Sequence, residues 1–132
     1  MSKFVVNNYT NNKEILRVLD HYVGIPVTVS DENISLVDGK KIVPAGTIIG
    51  GKIAPRLEND GEIVVEKNTQ GGATGSAGAG VDAEGVLLYD VDVTHGPAAG
   101  SMVIHGFIKL SKLPKAPVAD AKAALKQITF TV

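Results

Sequence analysis

Two alternating apolar runs constrain this chain more than any other feature: Val86-Leu87-Leu88-Tyr89-Asp90-Val91-Asp92-Val93 and Met102-Val103-Ile104-His105-Gly106-Phe107-Ile108-Lys109-Leu110. The linker between them, Thr94-His95-Gly96-Pro97-Ala98-Ala99-Gly100, is too short for a helical crossover. The runs must therefore pair antiparallel, if they pair at all. Strand periodicity places Leu87, Tyr89, Val91 and Val93 on one face of the first run, and Met102, Ile104, Ile108 and Leu110 on one face of the second. They are expected to be the two central strands.

Shorter runs of Val, Ile and Thr between turn residues extend the β pattern. Val27-Thr28-Val29, Ile34-Ser35-Leu36-Val37, Lys41-Ile42-Val43, Thr47-Ile48-Ile49 and Glu62-Ile63-Val64-Val65-Glu66 all read as strands, and Asp38-Gly39 between the second and third is a hairpin signal. Two helices are expected. The first covers residues 11–24, with Asn11 and Glu14 at capping-box spacing, a stripe of Ile15, Leu16, Val18, Leu19, Tyr22 and Val23, and a stop at Gly24 before Pro26. The second is opened by Pro117 and runs through Val118, Ala121, Leu125 and Ile128, before a closing strand, Ile128-Thr129-Phe130-Thr131-Val132. The fold class is thus α+β, a mainly antiparallel β body with a short N-terminal and a C-terminal helix. At 132 residues it is expected to be one domain, with residues 1–41 as an arm, helix and hairpin extension of a β body over 42–132.

Composition excludes several function classes. The formal charge is −1, so a general electrostatic grip on nucleic acid or an anionic membrane has no support. Charge is uneven along the chain: residues 31–108 carry five basic against eleven acidic side chains, and residues 109–132 five basic against one acidic. Such halves suit complementary patches on neighbouring subunits or a solvated helix face. Cysteine is absent, which removes disulfides, thiolate metal sites and cysteine nucleophiles. With no long apolar segment at the start and no run near the ~20 residues that span a bilayer, a soluble protein made inside the cell is expected.

Candidate chemistry is sparse. Asp90 and Asp92 share a strand face, and His95 follows, but two carboxylates without further oxygen ligands fit a polar strand face, or a turn-capping role for Asp92, better than a metal site. Ser101 and His105 with Asp90 or Asp92 could be enlisted as a hydrolytic triad, yet no nucleophile-elbow pattern surrounds Ser101. His21 and His105 read as hydrogen-bonded structural imidazoles. The Gly71 to Gly80 stretch lacks both the Gly-Lys-Ser/Thr ending and the following helix of a phosphate cradle, and reads as a mobile surface loop. No catalytic residue, cofactor or metal is expected.

One resemblance joins these pieces. Ala83-Glu84-Gly85-Val86-Leu87-Leu88-Tyr89-Asp90-Val91-Asp92-Val93-Thr94, followed by Ser101-Met102-Val103-Ile104-His105-Gly106-Phe107-Ile108, resembles the head decoration proteins of lambda-type tailed phages. Val43-Pro44-Ala45-Gly46-Thr47-Ile48-Ile49-Gly50 looks like that family's entry turn and strand, and Lys122-Ala123-Ala124-Leu125-Lys126-Gln127-Ile128-Thr129-Phe130 is similar to its closing helix and strand. The likeness spans residues 42–132; the longer N-terminal part looks more like head-fibre or decoration proteins of phages of Gram-positive hosts. The resemblance implies a non-enzymatic virion protein on the outer capsid surface, a homotrimer bound to the major capsid protein and bracing the expanded head against packaged DNA. Attachment is expected by strand addition from Lys3, Phe4, Val5 and Val6, a β-prone segment that could pair with a free edge of the shell. The alternative is the base or tip of a head fibre that touches host surface or glycan through loops at Thr74, Gly75, Ser76, His95, Gly96 and Pro97. A small β-rich enzyme is the third class.

Overall fold

The computed structural model describes residues 14–71 and 79–132. The arm residues Lys3, Phe4, Val5 and Val6 and the loop residues Thr74, Gly75 and Ser76 lie outside them, as does most of the glycine-rich stretch. Among the described residues the strands are, in chain order, β1 (Val23–Val29), β2 (Ile42–Val43), β3 (Ile48–Gly51), β4 (Ile63–Glu66), β5 (Gly85–Leu87), β6 (Val91–Asp92), β7 (Ala98–Lys109) and β8 (Ile128–Thr131), with one α-helix, α1 (Ala119–Ala124), before β8. The β-rich class expected from the sequence is what forms. Among the described residues no helix is long and apolar enough to cross a membrane.

Five strands close into a ring in the order β1-β4-β3-β5-β7, and β7 returns to β1. Every contact in the ring is antiparallel except β1 with β4, where Thr28 sits opposite Ile63 and Val29 opposite Val64. Closure gives each of these five strands a neighbour on both sides, and strand alternation then sorts side chains to the two sides of the wall. Val27, Val29, Ile49, Val64, Leu87 and Met102, drawn from all five, pack inside with Val43, Val91 and Val93. Their sequence neighbours Ile48, Val86 and Val103 face outward into a second core with Ile15, Leu16, Ala121, Leu125 and Ile128. The 86–93 and 102–110 runs do pair antiparallel, Val86 against Val103 and Leu87 against Met102.

Neither run is one uninterrupted strand with one face. The first breaks after Leu87: Leu88 still donates its N–H to Ser101 O at 2.9 Å, but the chain then leaves β7, and β6 pairs with β2 in a separate ribbon. Tyr89, expected beside Leu87, is 58% exposed in the break. In β7, Val23 is opposite His105 and Gly24 opposite Val103, so β7 carries one extra residue, a bulge that inverts the alternation beyond it. Met102 and Ile104 therefore pack on the inner core and Ile108 on the outer one.

The N-terminal helix is the clear correction. From Glu14 to Gly24 the described chain is not helical. Leu16 bridges Ile108, Lys109 donates its N–H to Ile15 O, and Arg17 donates to Phe107 O, both at 2.8 Å. The edge of β7 next to β1 needs partners along its whole length, and these residues supply them while burying Ile15 and Leu16 completely or nearly so. An isolated helix of this length is marginal in water, so the strand edge prevails. Leu19 from the predicted stripe is left exposed.

The Asp38-Gly39 turn forms as expected, with Val37 and Lys40 exchanging both backbone hydrogen bonds and positive φ at both turn residues. Beyond it the predicted hairpin does not continue, because Ile42 and Val43 pair with β6 instead. The C-terminal helix is where the sequence places it but short, and its start is held from a distance. Asn68, buried, accepts from Val118 N at 2.9 Å and donates to Ala116 O at 3.1 Å, while Gln70 accepts from Asp120 N at 3.1 Å. Orphan N–H groups of the first turn are thus satisfied by residues about fifty positions upstream rather than by a local cap.

Candidate functional site

A groove of about 420 Å³ runs between the 30–44 segment and strands β3 and β4. Its walls are mostly apolar, with Ile34, Val65 and Pro114 among the lining residues. Two ion pairs stand at its rim, Lys52 with Glu32 at 2.6 Å and Lys115 with Glu66 at 3.5 Å. All four side chains are more than a third exposed, so each pair contributes little to stability and can part for an incoming chain. Beside the groove, the tip of the 34–43 segment leaves Leu36 63% and Val37 65% exposed, with Ile42 also uncovered. Apolar walls, labile rim charges and an uncovered apolar tip form a surface that can take the side chains of another polypeptide. Nothing in the sequence marked it, because its walls come from segments as far apart as Val29 and Lys115.

The residues with catalytic potential are dispersed. Asp90 accepts the N–H of Ala45 at 2.8 Å and so ties the break after β5 to the turn that enters β3. Asp92 caps a turn, accepting both the backbone N–H of Thr94, at 3.0 Å, and its hydroxyl. His95 and Pro97 are exposed, with Gly96 between them half-buried at the turn into β7. Ser101 and His105 lie four positions apart on β7, roughly 13 Å along an extended strand, and His105 uses its ring on other partners. Its Nδ1 lies 3.0 Å from Gln127 O and its Nε2 3.2 Å from Nε2 of His21. No group of three or more His, Asp or Glu side chains that could hold a metal occurs among the described residues.

The Thr94 hydroxyl, then its N–H, hold the Asp92 carboxyl below its ordinary value of 3.8, and Lys40 and His95 act in the same direction. A carboxylate depressed in the folded state stabilises the fold at pH above its unfolded value, and that contribution is lost as pH falls through the lower, folded one. Thr94→Val is expected to move the Asp92 titration upward towards 3.8, as read from its carboxyl carbon by NMR. A titration that stays in place would remove the Thr94 hydroxyl as the main cause.

Compared with known proteins, the chain matches no family model and no curated protein.

Proposed function

We propose that this protein is a structural component of a tailed-phage particle, a decoration protein that self-associates as a trimer and binds the major capsid protein on the outer face of the expanded head. The observation that carries the reading is the uncovered apolar tip at Leu36, Val37 and Ile42 beside an apolar groove, a surface suited to burial against another protein. The resemblance over residues 42–132 supplies the partner. A closed ring packed with Val, Ile, Leu and Met side chains suits a load-bearing clamp, since a dense interior transmits strain instead of yielding to it. A ligand that binds only the expanded lattice stabilises it by mass action, about 2.7 kcal/mol per site at a hundredfold excess over its Kd, repeated over every copy.

In this reading Lys3, Phe4, Val5 and Val6 attach by adding a strand to a shell edge. Purified protein mixed with undecorated expanded heads and with unexpanded precursors is expected to co-sediment with the expanded heads alone and to raise their resistance to heat. Removing residues 1–10 is expected to abolish that co-sedimentation. Equal binding to both particles, or to neither, would defeat the proposal; binding to host cells or glycan instead would favour a head-fibre role.

A further inference from the structure

His21 and His105 are 84 residues apart in the chain, yet their Nε2 atoms face each other at 3.2 Å. His21 lies in the turn that leads into β1, and His105 lies at the bulge of β7. The rings meet edge to face, with centroids 5.1 Å apart and planes at 71°, and the Phe107 ring flanks His21 at 5.9 Å. The protonation pattern follows from the partners. Gln127 O can only accept, so His105 Nδ1 carries the ring proton and its Nε2 presents a lone pair. His21 Nε2 then donates to it.

We propose that this pair is a two-imidazole binding site for a borderline divalent transition-metal ion, of the zinc and nickel type. Two nitrogens bound at 2.0–2.1 Å on a tetrahedral ion stand about 3.3 Å apart. The observed 3.2 Å is already close to that separation, so loading the site requires the His21 ring proton to pass from Nε2 to Nδ1 and both rings to tilt. His105 is oriented as a metal ligand is, because its far nitrogen donates to a backbone carbonyl that fixes tautomer and ring plane. Access is open: His21 is exposed and His105 half-buried. Imidazole nitrogen selects zinc, nickel or copper over magnesium and calcium, which prefer oxygen. Two protein ligands leave the other positions to water, so binding is weaker than in a closed four-ligand site. Metal here would pin the segment before β1 to β7, and an ion held only by the folded chain raises stability with its concentration.

The test uses the full chain without an affinity tag, titrated with Zn2+ and separately with Ni2+ in a calorimeter and followed by thermal melting. One ion per chain is expected, with a melting temperature that climbs with metal concentration and does not respond to Mg2+. His21→Ala and His105→Ala are each expected to weaken binding at least tenfold. His95→Ala, which alters the remaining histidine, is expected to leave it unchanged. His21 is exposed, so His21→Ala keeps the test decisive even if His105→Ala folds poorly. No heat of binding in the millimolar range, or undiminished binding in His21→Ala, overturns the proposal.

Discussion

Gly51→Ala is expected to lower the stability of the fold by about 4 kcal/mol or more, a loss at the extreme of single substitutions. A Cβ at Gly51 would stand 1.8 Å from Ala54 O and 2.8 Å from Arg56 N, both backbone atoms that cannot swing aside as a side-chain end can. The crowding has a purpose in the fold. Glu84 accepts N–H groups from Gly51, Arg56 at 2.8 Å and Leu57 at 2.9 Å, gathering the end of β3 and the following turn around one carboxylate. Pushing Gly51 away breaks this convergence as well as the end of the β3–β4 pairing, where Gly51 lies opposite Val64. Urea unfolding measures the loss, with Gly61→Ala as the control because a Cβ there meets nothing within 4 Å. Equal midpoints for the two variants would mean that the 51–57 turn is not packed as described.

Met102→Ala is the second large effect, expected at about 3–4 kcal/mol from lost burial and the cavity left behind. Met102 is fully buried and lies where β7 is paired on both sides, opposite Ile25 of β1 and Leu87 of β5. Its Cγ would stand 2.4 Å from a Cβ on Gly85, so the methionine fills space that the glycine leaves open. Met102→Leu, close in volume, is expected to cost under about 1.5 kcal/mol, and Ile53→Ala at an 88% exposed position to stay within about 0.5 kcal/mol. Chemical denaturation checks the order. A loss below about 1 kcal/mol for Met102→Ala would contradict a closed, filled interior.

The same residues show why some of the architecture was legible and some was not. The antiparallel pairing of the 86–93 and 102–110 runs followed from a linker too short for a crossover, and the Asp38-Gly39 turn from two residues that tolerate positive φ. The break at Leu88 to Asp90 was not legible. It depends on a carboxylate meeting Ala45 N, a partner 45 positions away, which periodicity does not encode. The N-terminal helix was expected from capping and periodicity alone, and it yields to the stretch of β7 that β1 leaves without a partner. Of the candidate site, the individual histidines were visible as structural imidazoles, but their meeting was not. The groove was invisible, since neither Lys52 with Glu32 nor Lys115 with Glu66 is close in sequence.

Order along the chain by itself determined the β-rich class, the turn positions, the place of the closing helix and strand, and the absence of thiol chemistry, because each depends on a residue and its near neighbours. Tertiary structure alone decided that β1 closes the ring, that Ile15 to Arg17 become strand edge rather than helix, that Asn68 and Gln70 hold the start of α1, and that His21 faces His105. The physical reason is that each backbone N–H and C=O removed from water must find a partner, and which partner is free is settled only when the whole sheet has formed.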